Sequence, residues 1–201
     1  MHLSLEDVKS IAPVDFITRR YTPVEDLNAG EKEVFLAELI LCLEDLENAK
    51  PSWFDKFSSE VLVEFLELSH RYFAEHVLLG IERDLDVWTD HPECPKRVSD
   101  YGLYFFREFE RGLFEHFKYE EEKLFPHALS PKGDFDFTDF ESHHPHTTLD
   151  AGKLIILLSD KEEKVEKPMS YRILMEKLRT LDKELRLHEF IEENVLFDRC
   201  K

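Results

Sequence analysis

Two segments of this chain carry the same chemical text. One is His116-Phe-Lys-Tyr-Glu120-Glu121-Glu-Lys-Leu124-Phe125, the other His188-Glu-Phe-Ile-Glu192-Glu193-Asn-Val-Leu196-Phe197. His, Glu, Glu, Leu and Phe fall at the same offsets in both. On an α-helix, positions i and i+4 stack on one face. Each copy therefore offers an imidazole beside a carboxylate, one turn apart. Two such helices facing each other could close a metal site with nitrogen and oxygen ligands. A lone His-x-x-x-Glu is weak, and His2 with Glu6 reads as a chance pair. The doubled pattern is much harder to obtain by accident.

A two-metal centre bridged by Glu120 and Glu192 would take one imidazole from each copy, His116 and His188. Other helices must supply the remaining ligands. His70 lies in the apolar stripe Val63, Leu66, Phe73, Val77, Ile81 and so points inward. His76 sits at the stripe's border, with Gly80 and Arg83 beyond it, and reads as solvated. A third group is Ser142-His143-His144-Pro145-His146. His146 is followed by Leu149, Leu154 and Leu157, which places it on an inward face, and His143 could join it across the helix start. His144 reads as a cap or an outward residue. His91 lies in a Pro-rich loop and reads as surface. His127 is about 16 Å further along its helix than His116, too far to share its metal.

Imidazole with carboxylate suits iron, manganese or zinc, and no thiolate falls on any candidate face. Four or five His with two Glu leave open coordination positions for water or a small diatomic. The order His-x-x-x-Glu also differs from the Glu-x-x-His of ferritin-like oxidases.

The 201 residues suffice for one domain with a real core. The formal net charge of −18 disfavours nucleic acid and anionic membrane as partners. Cys42, Cys94 and Cys200 are isolated, which suggests reduced thiols and a cytoplasmic setting. The N-terminus has no signal-peptide pattern, and no apolar run approaches a membrane span.

Sparse Gly and Pro between long periodic segments are the punctuation of an all-α protein. The pattern predicts a short helix near 4–10, then an irregular stretch broken by Pro13 and Pro23. Asn28 followed by Glu31 resembles a capping box opening a helix through about Ala49, ended by Pro51. Long helices are expected over 58–88, 99–125 (ended by Pro126), 145–161 and from 169 to near the C-terminus. Residues 1–55 then form an N-terminal helical extension. Residues 56–201 form an up-down-up-down four-helix bundle, in which the second and fourth helices carry the repeat.

The segment His116 to Pro126 resembles the His-x-x-x-Glu-Glu-x-x-Leu-Phe-Pro signature of the hemerythrin-like family, also called HHE cation-binding domains. His188 to Phe197 is similar to the second copy, with Asp198 where Pro is usual. His70, and a His opening the third helix, complete the likeness, which covers roughly residues 58–200. It implies a four-helix bundle holding two iron ions joined by an oxo or carboxylate bridge. The spacing of His70, His91, His116 and His188 looks most like the di-iron proteins that repair iron–sulfur clusters after nitrosative or oxidative stress. Those proteins carry an N-terminal Cys-Cys pair that this chain lacks.

Three functions follow as expectations. The first is a di-iron protein that binds or responds to O2 or NO, with an iron–sulfur protein or redox protein as partner. The second is a di-iron enzyme acting on peroxide or nitric oxide, with Tyr119 beside His116 as a proton donor. The third is an interaction protein whose metal only stabilises the fold.

Overall fold

The computed structural model describes residues 27–130, 138, 151–159 and 167–200. The expected helix near 4–10, the 130–142 connection, and His143, His144 and His146 at the start of the third helix lie outside these residues, apart from Ser130 and Thr138. Among the described residues there are helices, turns and bends and no strand, so the all-α class holds and is compatible with a helical bundle. No described helix is long and apolar enough to cross a membrane.

Helix α1 spans Ala29–Glu44. Asn28 caps it as the sequence indicates: its Oδ1 accepts from the Glu31 amide, and the Glu31 carboxylate accepts from the Asn28 amide. This reciprocal capping satisfies two amides that a helix start leaves bare. The helix ends earlier than expected. The Asn48 side-chain amide donates to both carboxylate oxygens of Asp45, closing a short 3-10 turn, Leu46–Asn48. Asp and Asn here offer the chain a local alternative to helix. A second 3-10 turn, Pro51–Phe54, follows.

Three long helical runs come next, and each contains a wider π-turn. The first is α2 (Ser59–Tyr72), π1 (Phe73–Leu78) and α3 (Leu79–Thr89). The second is α4 (Lys96–Tyr119), π2 (Glu120–Leu124) and α5 (Phe125–Leu129). The third is α7 (Met169–Ile191), π3 (Glu192–Leu196) and α8 (Phe197–Arg199). Between the second and third lies α6 (Ala151–Leu158). Pro126 does not end its helix as expected. It falls in the first turn of α5, after π2. A first-turn amide needs no helical partner, so proline is tolerated there.

The chain divides into two compact units. The described residues of the first lie within 1–72, 124–135 and 184–201. In it, α2 packs on α5 and π3, and the 3-10 turns pack on α1 and π3. Its centre is a phenylalanine cluster. Phe35 meets Phe57, Phe65 and Phe54 edge-on, with centroids 4.8, 5.7 and 6.1 Å away. Edge-to-face pairs of this kind contribute beyond simple burial. Arg199 donates to the carbonyls of Phe57 and Phe54 at 2.7 and 2.9 Å, tying the end of α8 to the second 3-10 turn.

The second unit takes its described residues from 73–123 and 136–183. Here α4 packs against α3 and α6. Gly102 sits where the three meet, with Leu85 and Leu158 beside it. Phe73 stacks on Phe117, centroids 6.0 Å apart.

Candidate metal centre

The amphipathic pattern of each long helix puts apolar residues inward and leaves a few polar positions among them. The described side chains that are both polar or charged and buried are Ser69, His70, His116, Glu120, Glu184, His188 and Glu192. This set holds three carboxylates and three imidazoles, and no lysine or arginine. A carboxylate taken out of water costs several kcal/mol unless a cation or several donors compensate. Burial of these carboxylates therefore favours hydrogen-bond donors or positive charge beside them.

In the second unit, His116 lies near the end of α4, with Leu113 and Phe117 buried beside it. Glu120, fully buried, opens π2. Their i,i+4 spacing brings His116 Nε2 to 2.7 Å from Glu120 Oε1. That is the short distance of a charge-assisted hydrogen bond. Tyr119 is half-buried.

In the first unit, His70 ends the buried stripe of α2 and is 3% exposed. Its ring lies nearly parallel to that of Phe125, centroids 5.6 Å apart. His188 is 3% exposed, and its Nε2 stands 3.2 Å from the Nε2 of His70. Glu192, fully buried, opens π3 one turn after His188.

The Nε2–Nε2 separation has a clear meaning. With metal–nitrogen bonds of about 2.1 Å, two neighbouring ligands on one ion stand about 3.0 Å apart at a right angle and about 3.4 Å apart at the tetrahedral angle. The observed 3.2 Å lies between these values. Buried His and Glu side chains of this kind could hold a metal ion. The residues present therefore fit a metal of mixed nitrogen and oxygen coordination.

The backbone adds an observation that the sequence did not announce. Glu120 and Glu192 are each the first residue of a π-turn, and π1 begins three residues after His70. A π-turn places one extra residue in a helical turn and is frequently found at functional sites. The two copies of the motif thus share a backbone distortion as well as their side chains.

Three further described histidines, His76, His127 and His91, are not among these donor groups. His76 is exposed. His127 is half-buried on α5. His91 is half-buried in the loop after α3, stacked on Trp88 with centroids 5.4 Å apart, and its Nδ1 accepts from the Glu93 amide. It is packed more closely than a plain surface residue. Glu184 was overlooked in the sequence. It falls in the stripe Leu174, Leu178, Leu181, His188, Ile191, all buried, and that periodicity was the signal available.

Compared with known proteins, the chain matches no family model, no curated protein and no solved structure.

Proposed function

We propose that this protein binds iron as a non-haem di-iron protein of hemerythrin-like type and responds to O2 or NO. His70, His116, Glu120, His188 and Glu192 are the ligands. Glu120 and Glu192 would supply the carboxylate ligands, as the doubled motif implies. The fold proposed for this role is the up-down-up-down four-helix bundle. The observation that carries the reading is the pair of buried imidazoles, His70 and His188, with Nε2 atoms spaced as two ligands of one ion. The burial of both halves of both motif copies supports it.

In this reading the chain's own groups do three things. The imidazoles present neutral nitrogen donors. The carboxylates supply negative charge that holds cations in an apolar interior. The phenylalanine beside His70 fixes its ring plane and keeps out bulk water. Iron, when bound, supplies redox chemistry and open positions for a small diatomic. A role in iron–sulfur cluster repair or the stress response follows from the family likeness, and the partner would be an iron–sulfur protein or a redox protein.

The test is elemental analysis of protein produced in iron-rich medium, with absorption spectra of its oxidised and reduced forms. About two iron atoms per chain are expected. One tightly held zinc, with no iron uptake under reducing conditions, would replace this reading by a metal that only supports the fold.

A further inference from the structure

Helix α4 buries one side and exposes the other. Val98, Gly102, Phe106, Phe109, Leu113 and Phe117 lie on its inner face. Along the outer face run Arg97, Tyr101, Tyr104, Glu108, Arg111 and Glu115, all exposed. Their spacing is four, three, four, three and four residues. That alternation keeps a seam turned toward one neighbouring helix over several turns. Tyr101 and Tyr104 are 55% and 60% exposed. Tyrosine and arginine are enriched where proteins meet.

The order of groups along this seam has a symmetry about the level of Phe106. Arg97 and Glu115 lie nine residues either side of it, Tyr101 and Arg111 five, Tyr104 and Glu108 two. At a rise of about 1.5 Å per residue, the members of each pair stand equally far above and below that level. A second α4 laid antiparallel, with a twofold axis at Phe106, sets each residue opposite its counterpart. Arg97 then faces Glu115 of the second copy, guanidinium against carboxylate. Tyr101 faces Arg111, a phenol ring against a guanidinium. Tyr104 faces Glu108, a hydroxyl that donates to a carboxylate. A parallel arrangement would instead set Arg97 on Arg97 and Glu115 on Glu115.

Charge singles out this face. At a formal net charge of −18, two copies repel in most orientations. The seam carries two arginines and two glutamates and is neutral. Within one copy, Arg111 holds Glu108 and Glu115 at 2.7 and 3.1 Å. Exposed pairs of this kind are worth little, so exchanging them for contacts across an interface costs little. Arg97 donates to the Leu157 carbonyl at 2.9 Å through one N–H of several.

We propose that the outer face of α4 is a self-association surface, on which two copies of this chain pair antiparallel as a twofold dimer. A contact of this kind is closed and stops at two. One helix pair is a small interface, so its affinity falls in the micromolar range. Metal plays no part in this pairing.

The experiment is sedimentation velocity on the full chain between about 1 and about 500 µM, which spans micromolar association. Wild type should pass from monomer to dimer and no further. Arg97→Glu and Glu115→Arg each set like charges face to face, and each should weaken the dimer about tenfold or more. Mixed in equal amounts, these two variants should pair with each other, because every cross-contact is again guanidinium against carboxylate. The double variant R97E/E115R should recover the dimer for the same reason. Tyr104→Glu sets a carboxylate against Glu108 of the second copy and should weaken pairing without touching Arg97. Phe114→Ala, exposed on α4 but off the seam, should leave it unchanged. Far-UV circular dichroism checks that each variant keeps its helix.

Wild type that stays monomeric throughout overturns the proposal and leaves the seam to a different protein. A dimer unmoved by both charge reversals also overturns it, since association then uses another surface. Charge-reversed variants that fail to pair when mixed overturn the antiparallel register.

Discussion

His70 and His188 aim the same ring atom at each other, Nε2 to Nε2, across 3.2 Å. Two N–H groups cannot face each other at that distance, so at least one nitrogen presents a lone pair. A metal ion held by both nitrogens would take the place of the proton between them.

Removing a ligand nitrogen should be costly for metal. We expect His70→Ala, His116→Ala and His188→Ala each to lower iron content from about two atoms per chain to fewer than one. His76→Ala and His127→Ala, whose rings are exposed and half-buried, should keep the full complement. Elemental analysis of the five purified variants is the check. Equal iron in all five would reduce the repeat to coincidence.

Reduced, iron-loaded protein should change its absorption spectrum within a stopped-flow mix with O2 or with NO. Two carboxylates and a handful of imidazoles do not fill the positions of two six-coordinate ions. A carrier should recover its reduced spectrum when O2 is removed, whereas a repair or redox centre should remain oxidised until a reductant is added. No spectral change with either gas would leave only the metal's structural role.

Phe35 should be among the most sensitive positions for stability. It is 1% exposed and meets three other phenylalanine rings. Phe35→Ala is expected to cost about 3–5 kcal/mol in urea denaturation. Phe105→Ala, at an exposed position on α4, should stay within about 0.5 kcal/mol of wild type. If the two variants unfold at the same urea concentration, α1 does not share a cooperative core with α2.

Cys42 should resist alkylation. Burial pushes its thiol up to about 12, with the nearby Glu38 carboxylate adding to the shift. Cys94 and Cys200 are raised by burial as well but are partly exposed. At pH 8.5, iodoacetamide should label these two well before Cys42, as peptide mass mapping would show. The raised value also sets a sign for stability. The unfolded thiol ionises near 9.0 while the folded one stays protonated, so stability present below that pH is lost as pH rises toward 12. A Cys42→Ala variant should show a shallower decline over that window.

Much of the fold and the buried donors could be read from residue spacing, and the reasons are specific. The stripe on α2 was long and regular enough to assign His70 inward and His76 outward, and they are buried and exposed respectively. Asn28 and Glu31 announced their cap because the two side chains carry the whole signal. Pro126 misled because proline has two meanings in a helix, a break in the interior and a comfortable start in the first turn. The π-turns were invisible because apolar spacing over a few residues does not separate one extra residue per turn from ordinary irregularity. Glu184 was passed over because a single acid in a leucine stripe reads as a surface residue until its burial is known.

The π-turns carry a consequence for anyone drawing or transplanting these helices. A helical wheel turned at a constant 100° per residue is out of phase by about one residue's rotation beyond each of them. Leu124 and Leu196, both buried, would be plotted away from their true faces. Copying the ten-residue motif onto an ideal straight helix would therefore keep the letters and lose the alignment of everything downstream. Faithful transfer needs the extra residue's worth of backbone as much as it needs histidine and glutamate.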